Sequence, residues 1–178
     1  ECHVTSMQGM ISSGQLDLGL ATLTPRQQDD NVYHLMAQEE ILLAVPAGIP
    51  LAQGGSADWR LAPQTELSRF SDQPFVRIYQ RSTLFGLTEP LFEEAGFTPK
   101  VLFSTSSNMS KYRIVEAGLA CALLPAIYAV PGGPVVYFRL AQCPRWLITL
   151  CSRKDGWLGQ PEQLFIALCR EYWREKTV

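Results

Sequence analysis

The sequence has little of what most catalytic or metal chemistry needs. Its 178 residues hold two histidines, His3 and His34. A metal site normally takes three or four closely spaced ligands, and no such cluster is written here, so neither a metal nor another cofactor is expected. There is no Gly-x-Ser-x-Gly, no phosphate-loop glycine pattern and no repeated carboxylate pair. The chain therefore offers no activated nucleophile, nucleotide cradle or acid–base couple, and an enzyme is not expected. Lys and Arg number 15 against 17 Asp and Glu, a net charge of −2, with no basic run. A nucleic-acid surface needs a basic stripe, so no direct contact with DNA is expected from these residues. No apolar stretch nears the ~20 residues that cross a bilayer. No secretory leader opens the chain. It begins Glu1-Cys2-His3 without an initiator Met, and the expectation is a piece of a longer protein.

Cysteine is sparse and unpaired in pattern. Cys2, Cys121, Cys143, Cys151 and Cys169 make an odd count with no CxxC. Cys121, Cys151 and Cys169 sit in apolar runs, as buried free thiols do, which points to a reducing cytoplasm. A redox sensor would need an exposed thiolate beside Lys, Arg or His, and none is placed so.

What is present is an ordinary globular composition, 47% hydrophobic and 18% charged. Its most informative feature is a joint that occurs twice. Ser13-Gly14-Gln15-Leu16-Asp17-Leu18-Gly19-Leu20-Ala21 and Val115-Glu116-Ala117-Gly118-Leu119-Ala120-Cys121-Ala122-Leu123-Leu124-Pro125 each read as a helix stopped by glycine and followed by a buried strand. Two such joints suggest two similar α/β lobes, and facing lobes leave a cleft for a small ligand.

The rest of the chain alternates in the same way. The spacing predicts helices over 5–13, 84–95, 106–117 and 160–175, with Thr5 or Ser6 and Ser106 or Ser107 as caps. Leu164, Leu168 and Tyr172 mark one face of the last helix. Strands are predicted over 16–21, 32–35, 40–46, 75–79, 101–104, 121–124, 135–140 and 146–152, and a single helical turn over 65–69. Ile41 to Val45 is continuously apolar, as in a strand covered on both faces. The class is α/β with a largely parallel sheet.

At this point the residues resemble a family. Ser13 to Leu20 is similar to the "SGELDLAI" signature of the effector-binding domain of LysR-type transcriptional regulators. Glu40 to Pro46 followed by Pro50-Leu51-Ala52 resembles that family's "E-x-L-x-L-V-x-P…HPLA", with Ile49 in place of its His. Asp72 to Val76, Phe92 to Pro99 and Val115 to Pro125 resemble its "x-P-F-I", "F-x-x-A-G-F-x-P" and "V-A-A-G-L-G-V-A-L-L-P". Ala120 replaces the second glycine of the last. The resemblance implies two Rossmann-like lobes joined by two crossover segments, the type 2 periplasmic-binding-protein fold. Lobe I is expected at 1–79 plus 149–178 and lobe II at 80–148. The first strand and helix of lobe I, a winged helix-turn-helix and a linker helix are expected outside this sequence.

Ligands in such folds bind at the carboxyl ends of strands near helix starts, which favour anions. Two hydroxyl-rich helix starts are expected at the cleft, one with Thr5 and Ser6, the other with Ser106 and Ser107. The resemblance implies hydroxyls that hold effector at the positions of Thr5 and Ser106. Arg77, at the end of its strand, supplies a fork suited to a carboxylate or phosphate. Thr22 is the remaining ligand candidate. Asp17 is read as structural, and the four tryptophans as packing residues.

The function expected is the ligand-sensing domain of a bacterial LysR-type regulator. It would bind a small anionic metabolite, assemble as a homodimer or tetramer, and reach DNA only through the missing N-terminal domain. The alternative is a periplasmic solute-binding protein of a transporter, against which the cysteines argue.

Overall fold

A computed structural model of the chain describes residues 2–176. In chain order its elements are α1 (Val4–Ser12), β1 (Leu18–Leu23), β2 (Val32–Pro46), β3 (Gln64–Thr65), β4 (Pro74–Ile78), α2 (Thr83–Glu94), β5 (Lys100–Thr105), α3 (Asn108–Glu116), β6 (Ala122–Pro125), β7 (Val135–Leu140), β8 (Arg145–Ser152) and α4 (Gln160–Lys176). They fall into two compact units, 1–39 with 146–178 and 40–145.

In the first unit α1 lies on β1. Met7 and Ile11, four apart on one helix face, bury against Ala21, Leu23 and Cys151. Gly14 stops the helix at φ +73°, a conformation that costs glycine nothing. β1 then pairs antiparallel with β8, from Leu18↔Ser152 to Leu23↔Leu147. Met7 fills the space where a Cβ at Gly19 would stand, so this glycine sets how closely helix meets strand. α4 buries Ile166, whereas its expected apolar face is exposed: Leu164, Leu168 and Tyr172 are each more than half accessible.

In the second unit the apolar run Ile41 to Val45 is fully buried. β2 pairs antiparallel with β6 on one side (Ile41↔Pro125 to Ala44↔Ala122) and with β7 on the other (Leu42↔Arg139 to Pro46↔Val135). β3 runs parallel to β7. β4 and β5 form a separate parallel pair, Pro74↔Lys100 to Ile78↔Thr105, with an irregularity between Phe75 and Val76. β4 also reaches the chain entering β6: the Val76 amide donates to the Cys121 carbonyl and the Cys121 amide to the Pro74 carbonyl. Tyr112 and Val115 of α3 pack with Ala122, Leu124 and Tyr137 in the core.

Four expectations differ from the structure. The pairing is not largely parallel: within the first unit β1–β8, and within the second β2–β6 and β2–β7, are all antiparallel. Alternation with helices enforces parallel strands only where a helix intervenes, and β6, β7 and β8 follow one another without an α-helix. The strands expected at 32–35 and 40–46 are one, β2, because Met36 to Glu39 continue its backbone. The helical turn expected at 65–69 is the end of β3 and a 3₁₀ turn over Leu67–Phe70. Finally, the changes between compact units fall at 39/40 and 145/146, against lobe changes expected at 79/80 and 148/149. Residues 40–46 bond to β6 and β7, and this draws the stretch into the second unit.

Candidate functional site

The β4–α2–β5–α3 stretch brings two helix starts to one edge. β4 and β5 are parallel neighbours, with Arg77 opposite Ser104 and Ile78 opposite Thr105. Each strand is followed at its carboxyl end by a helix, α2 after β4 and α3 after β5. Both starts carry a side-chain cap. Ser82 Oγ accepts from the Leu84 amide at 3.1 Å, and Ser107 Oγ accepts from the Ser110 amide at 3.2 Å. Thr105 Oγ1 accepts from the Ser107 amide at 3.2 Å and tightens the turn into α3. Ser106 is exposed beside this cap, without being the cap itself. Amide N–H groups not used within the helices and the positive ends of two dipoles thus gather at the ends of neighbouring strands.

Arg77 stands at the same strand ends, next to last in β4. Its Nη2 forms an ion pair with Glu89 Oε2, and both side chains are about three-quarters buried. Its guanidinium carbon lies over the Phe85 ring, 4.9 Å from the centroid. Phe85 and Glu89 are four apart on α2 and so share a face. Burial pushes the guanidinium pKa down from its ordinary value, though an arginine stays charged in any folded protein.

Behind the start of α3 lies Lys111, whose side chain is 1% exposed. Its Nζ donates to the Leu123 carbonyl and, at 3.4 Å, to Asn108 Oδ1. Among the described residues no carboxylate forms an ion pair with it, and burial pushes its pKa down to about 7. Burial likewise pushes the Cys121 thiol up to about 12, which leaves it inert near neutral pH.

The candidates of the first unit are not gathered in this way. α1 is capped at His3, with no side-chain cap bond, rather than at Thr5 or Ser6. Both of those are exposed on the first turn. β1 turns Gly19, Ala21 and Leu23 towards α1, so Thr22 projects from the opposite face. The structure therefore brings Arg77, Ser106 and Ser107 to one edge of one unit, whereas Thr22 and the pair Thr5 and Ser6 lie on different faces of the other. Two small hollows sit elsewhere. One, with an open volume of about 170 Å³, lies between Pro46, Pro74 and Cys121 at the opposite end of β4. The other lies between Asp17, Arg153 and Trp157.

Phe85, Glu89 and Lys111 escaped sequence reasoning. Lys111 left a signal, because it falls four residues before buried Val115 on the core face of α3, where a lysine is out of place. Glu89 left none, since only the crossing of α2 over β4 brings it to Arg77.

Residues 2–174 match the family model described as LysR substrate binding domain. No curated protein matches the sequence. Among solved structures, the effector binding domain of QuiR in complex with shikimate is 17% identical, with a TM-score of 0.77 over 99% of this chain and 81% of that one. The Synechocystis PCC6803 CcmR regulatory domain in complex with 2-PG is 13% identical, with a TM-score of 0.74 over 95% of this chain and 79% of that one. A putative LysR family regulator from Pseudomonas aeruginosa is 21% identical, with a TM-score of 0.71, and this chain spans 58% of its length. At these identities the likeness is one of fold.

Proposed function

The chain belongs to the LysR substrate binding domain family, and from that membership we propose that it is the effector-sensing part of a bacterial LysR-type transcriptional regulator whose effector carries an anionic group. The fold is the mixed α/β, type 2 periplasmic-binding-like arrangement of that family. The observation that carries the anion is the convergence of Arg77 with the capped starts of α2 and α3 at one pair of strand ends. Positive charge that gathers at strand ends suits recognition of an anion. Domains of the same fold hold shikimate and 2-PG, which supports a small-molecule effector.

The complete regulator acts in the cytoplasm as a homodimer or tetramer and reaches DNA through a separate N-terminal domain. No helix among the described residues is long and apolar enough to cross a membrane. The transporter reading has less support, because the family match is to a regulator's domain.

The test is a thermal-shift screen of the full-length protein against carboxylic and phosphorylated metabolites. A ligand at about 100 times its dissociation constant stabilises by about 2.7 kcal/mol. Arg77→Ala should weaken an anionic hit by roughly 1.5–3 kcal/mol, the scale of a hydrogen bond to a charged group. A neutral effector, or an unchanged affinity in that variant, would sink the reading.

A further inference from the structure

Arg77 meets any ligand already neutralised. Its guanidinium is stacked on Phe85 at 4.9 Å, and its Nη2 is held by the Glu89 carboxylate in a setting about three-quarters buried. We propose that Glu89 is an internal counter-ion standing in the position of the effector's anionic group, so that binding exchanges one carboxylate for another on Arg77. The exchange rests on the reading that Arg77 faces the effector.

Three features support it. Phe85 and Glu89 come from successive turns of α2, so one helix face supplies both the stack and the counter-charge. The Phe85 ring lies under the guanidinium carbon, its centroid 4.9 Å away, and a guanidinium receives carboxylates along its own plane, beside such a contact. Glu89 is followed by Pro90 inside the helix, which has no N–H to return to the Gly86 carbonyl. The turn that holds Glu89 therefore has one backbone bond fewer to resist its displacement.

Exchange also sets selectivity. A tethered carboxylate competes at high effective concentration. A monocarboxylate would replace like with like and gain little. A dianion gains more, because its further oxygens can also take donors at the starts of α2 and α3. Glu89 is thus a specificity-determining residue that rejects simple monocarboxylates and admits phosphate-like dianions.

The experiment uses full-length protein with inorganic phosphate and acetate as probes. Binding is read from NMR shifts of the Ser106–Asn108 amides and the Arg77 side-chain N–H. Wild type should bind phosphate and ignore acetate. Glu89→Gln should bind phosphate at least tenfold more tightly and acquire acetate binding. The double variant R77A/E89Q should lose both. Unchanged affinities in Glu89→Gln, gains that survive in the double variant, or no binding of either probe to any of these proteins would overturn the exchange. If Glu89→Gln fails to fold, Glu89→Asp keeps the charge with a shorter reach. It should show a smaller gain, and no gain would count against the proposal. Wild-type phosphate binding that survives Arg77→Ala defeats the underlying reading of Arg77. Binding lost in Arg77→Ala but unaltered in Glu89→Gln defeats the exchange alone.

Discussion

The two units share a vocabulary and use it differently. Both contain a helix stopped by a glycine at positive φ, Gly14 at +73° and Gly118 at +79°, and both run from it towards a strand, half-buried in β1 and buried throughout in β6. In the first unit the strand beside the helix, β1, has an antiparallel neighbour, and α1 begins without a side-chain cap. In the second, β4 and β5 are parallel, and both following helices begin with a bonded serine. Parallel neighbours require crossover helices, and such helices all start at the same edge. Strand direction, more than composition, therefore decides where positive potential collects. Arg77 and Lys111 sit in the unit that already has it.

The largest way to break that contrast is through Lys111. Its folded pKa is down from 10.5 to about 7. Between those values the unfolded chain holds a proton that the folded chain lacks at Lys111, so the Lys111 contribution to stability rises with pH across that window. Below about pH 7 the whole penalty is present. At about 1.4 kcal/mol per unit, the rise is on the order of 4 kcal/mol. Lys111→Met should remove most of this slope while leaving the Leu123 carbonyl without its donor. Urea unfolding at pH 6.5 and 10 measures it, and parallel pH profiles for wild type and variant would refute the buried-amine account.

A smaller contrast sharpens the roles of the hydroxyls. Ser107→Ala should cost about 1 kcal/mol of stability, the usual loss of a helix cap. Thr5→Ala, on a helix with no side-chain cap, should cost only a few tenths by the same scale. Ser106→Ala should leave the melting temperature unchanged and weaken phosphate binding. Equal melting shifts for Ser107→Ala and Thr5→Ala would erase the distinction between the two units.

The smallest effect belongs to the first unit. Burial, with a lesser contribution from Arg170, pushes the His34 pKa down, and His34 Nε2 lies 3.0 Å from Ser152 Oγ. The unfolded histidine therefore binds its proton first as pH falls, and stability is lost below its ordinary value of 6.5. His34→Gln should flatten that acid limb slightly. An identical acid limb in the variant would remove His34 from the account.

Much of this was legible in advance. The stops at Gly14, Gly96 and Gly118 lie where glycine alone reaches positive φ cheaply, and each was readable from its place after an apolar period. The continuous run Ile41 to Val45 announced a strand covered on both faces. The Ser106–Ser107 pair marked the start of α3, although only geometry chose Ser107 as the cap. Strand direction was not legible, because periodicity carries no sign. Nor was the Arg77–Glu89 pair, which depends on a helix crossing a strand and not on spacing along the chain. The exposure of Leu164, Leu168 and Tyr172 was missed because amphipathicity tells which residues share a face and not what that face meets.

The division of the chain also fixes an order of events. The second unit is one unbroken stretch, 40–145, whereas the first must join 1–39 to 146–178. Leu18 cannot find Ser152, nor Thr149 Oγ1 donate to the Ala21 carbonyl, until the second unit and β8 have been made. Such distant pairings carry a loop-closure cost and form slowly. On the ribosome the second unit can close before β1 meets β8. β8 is thus the strand that ends this interval, and nascent chains cut short before it would leave the β8 side of β1 unpaired.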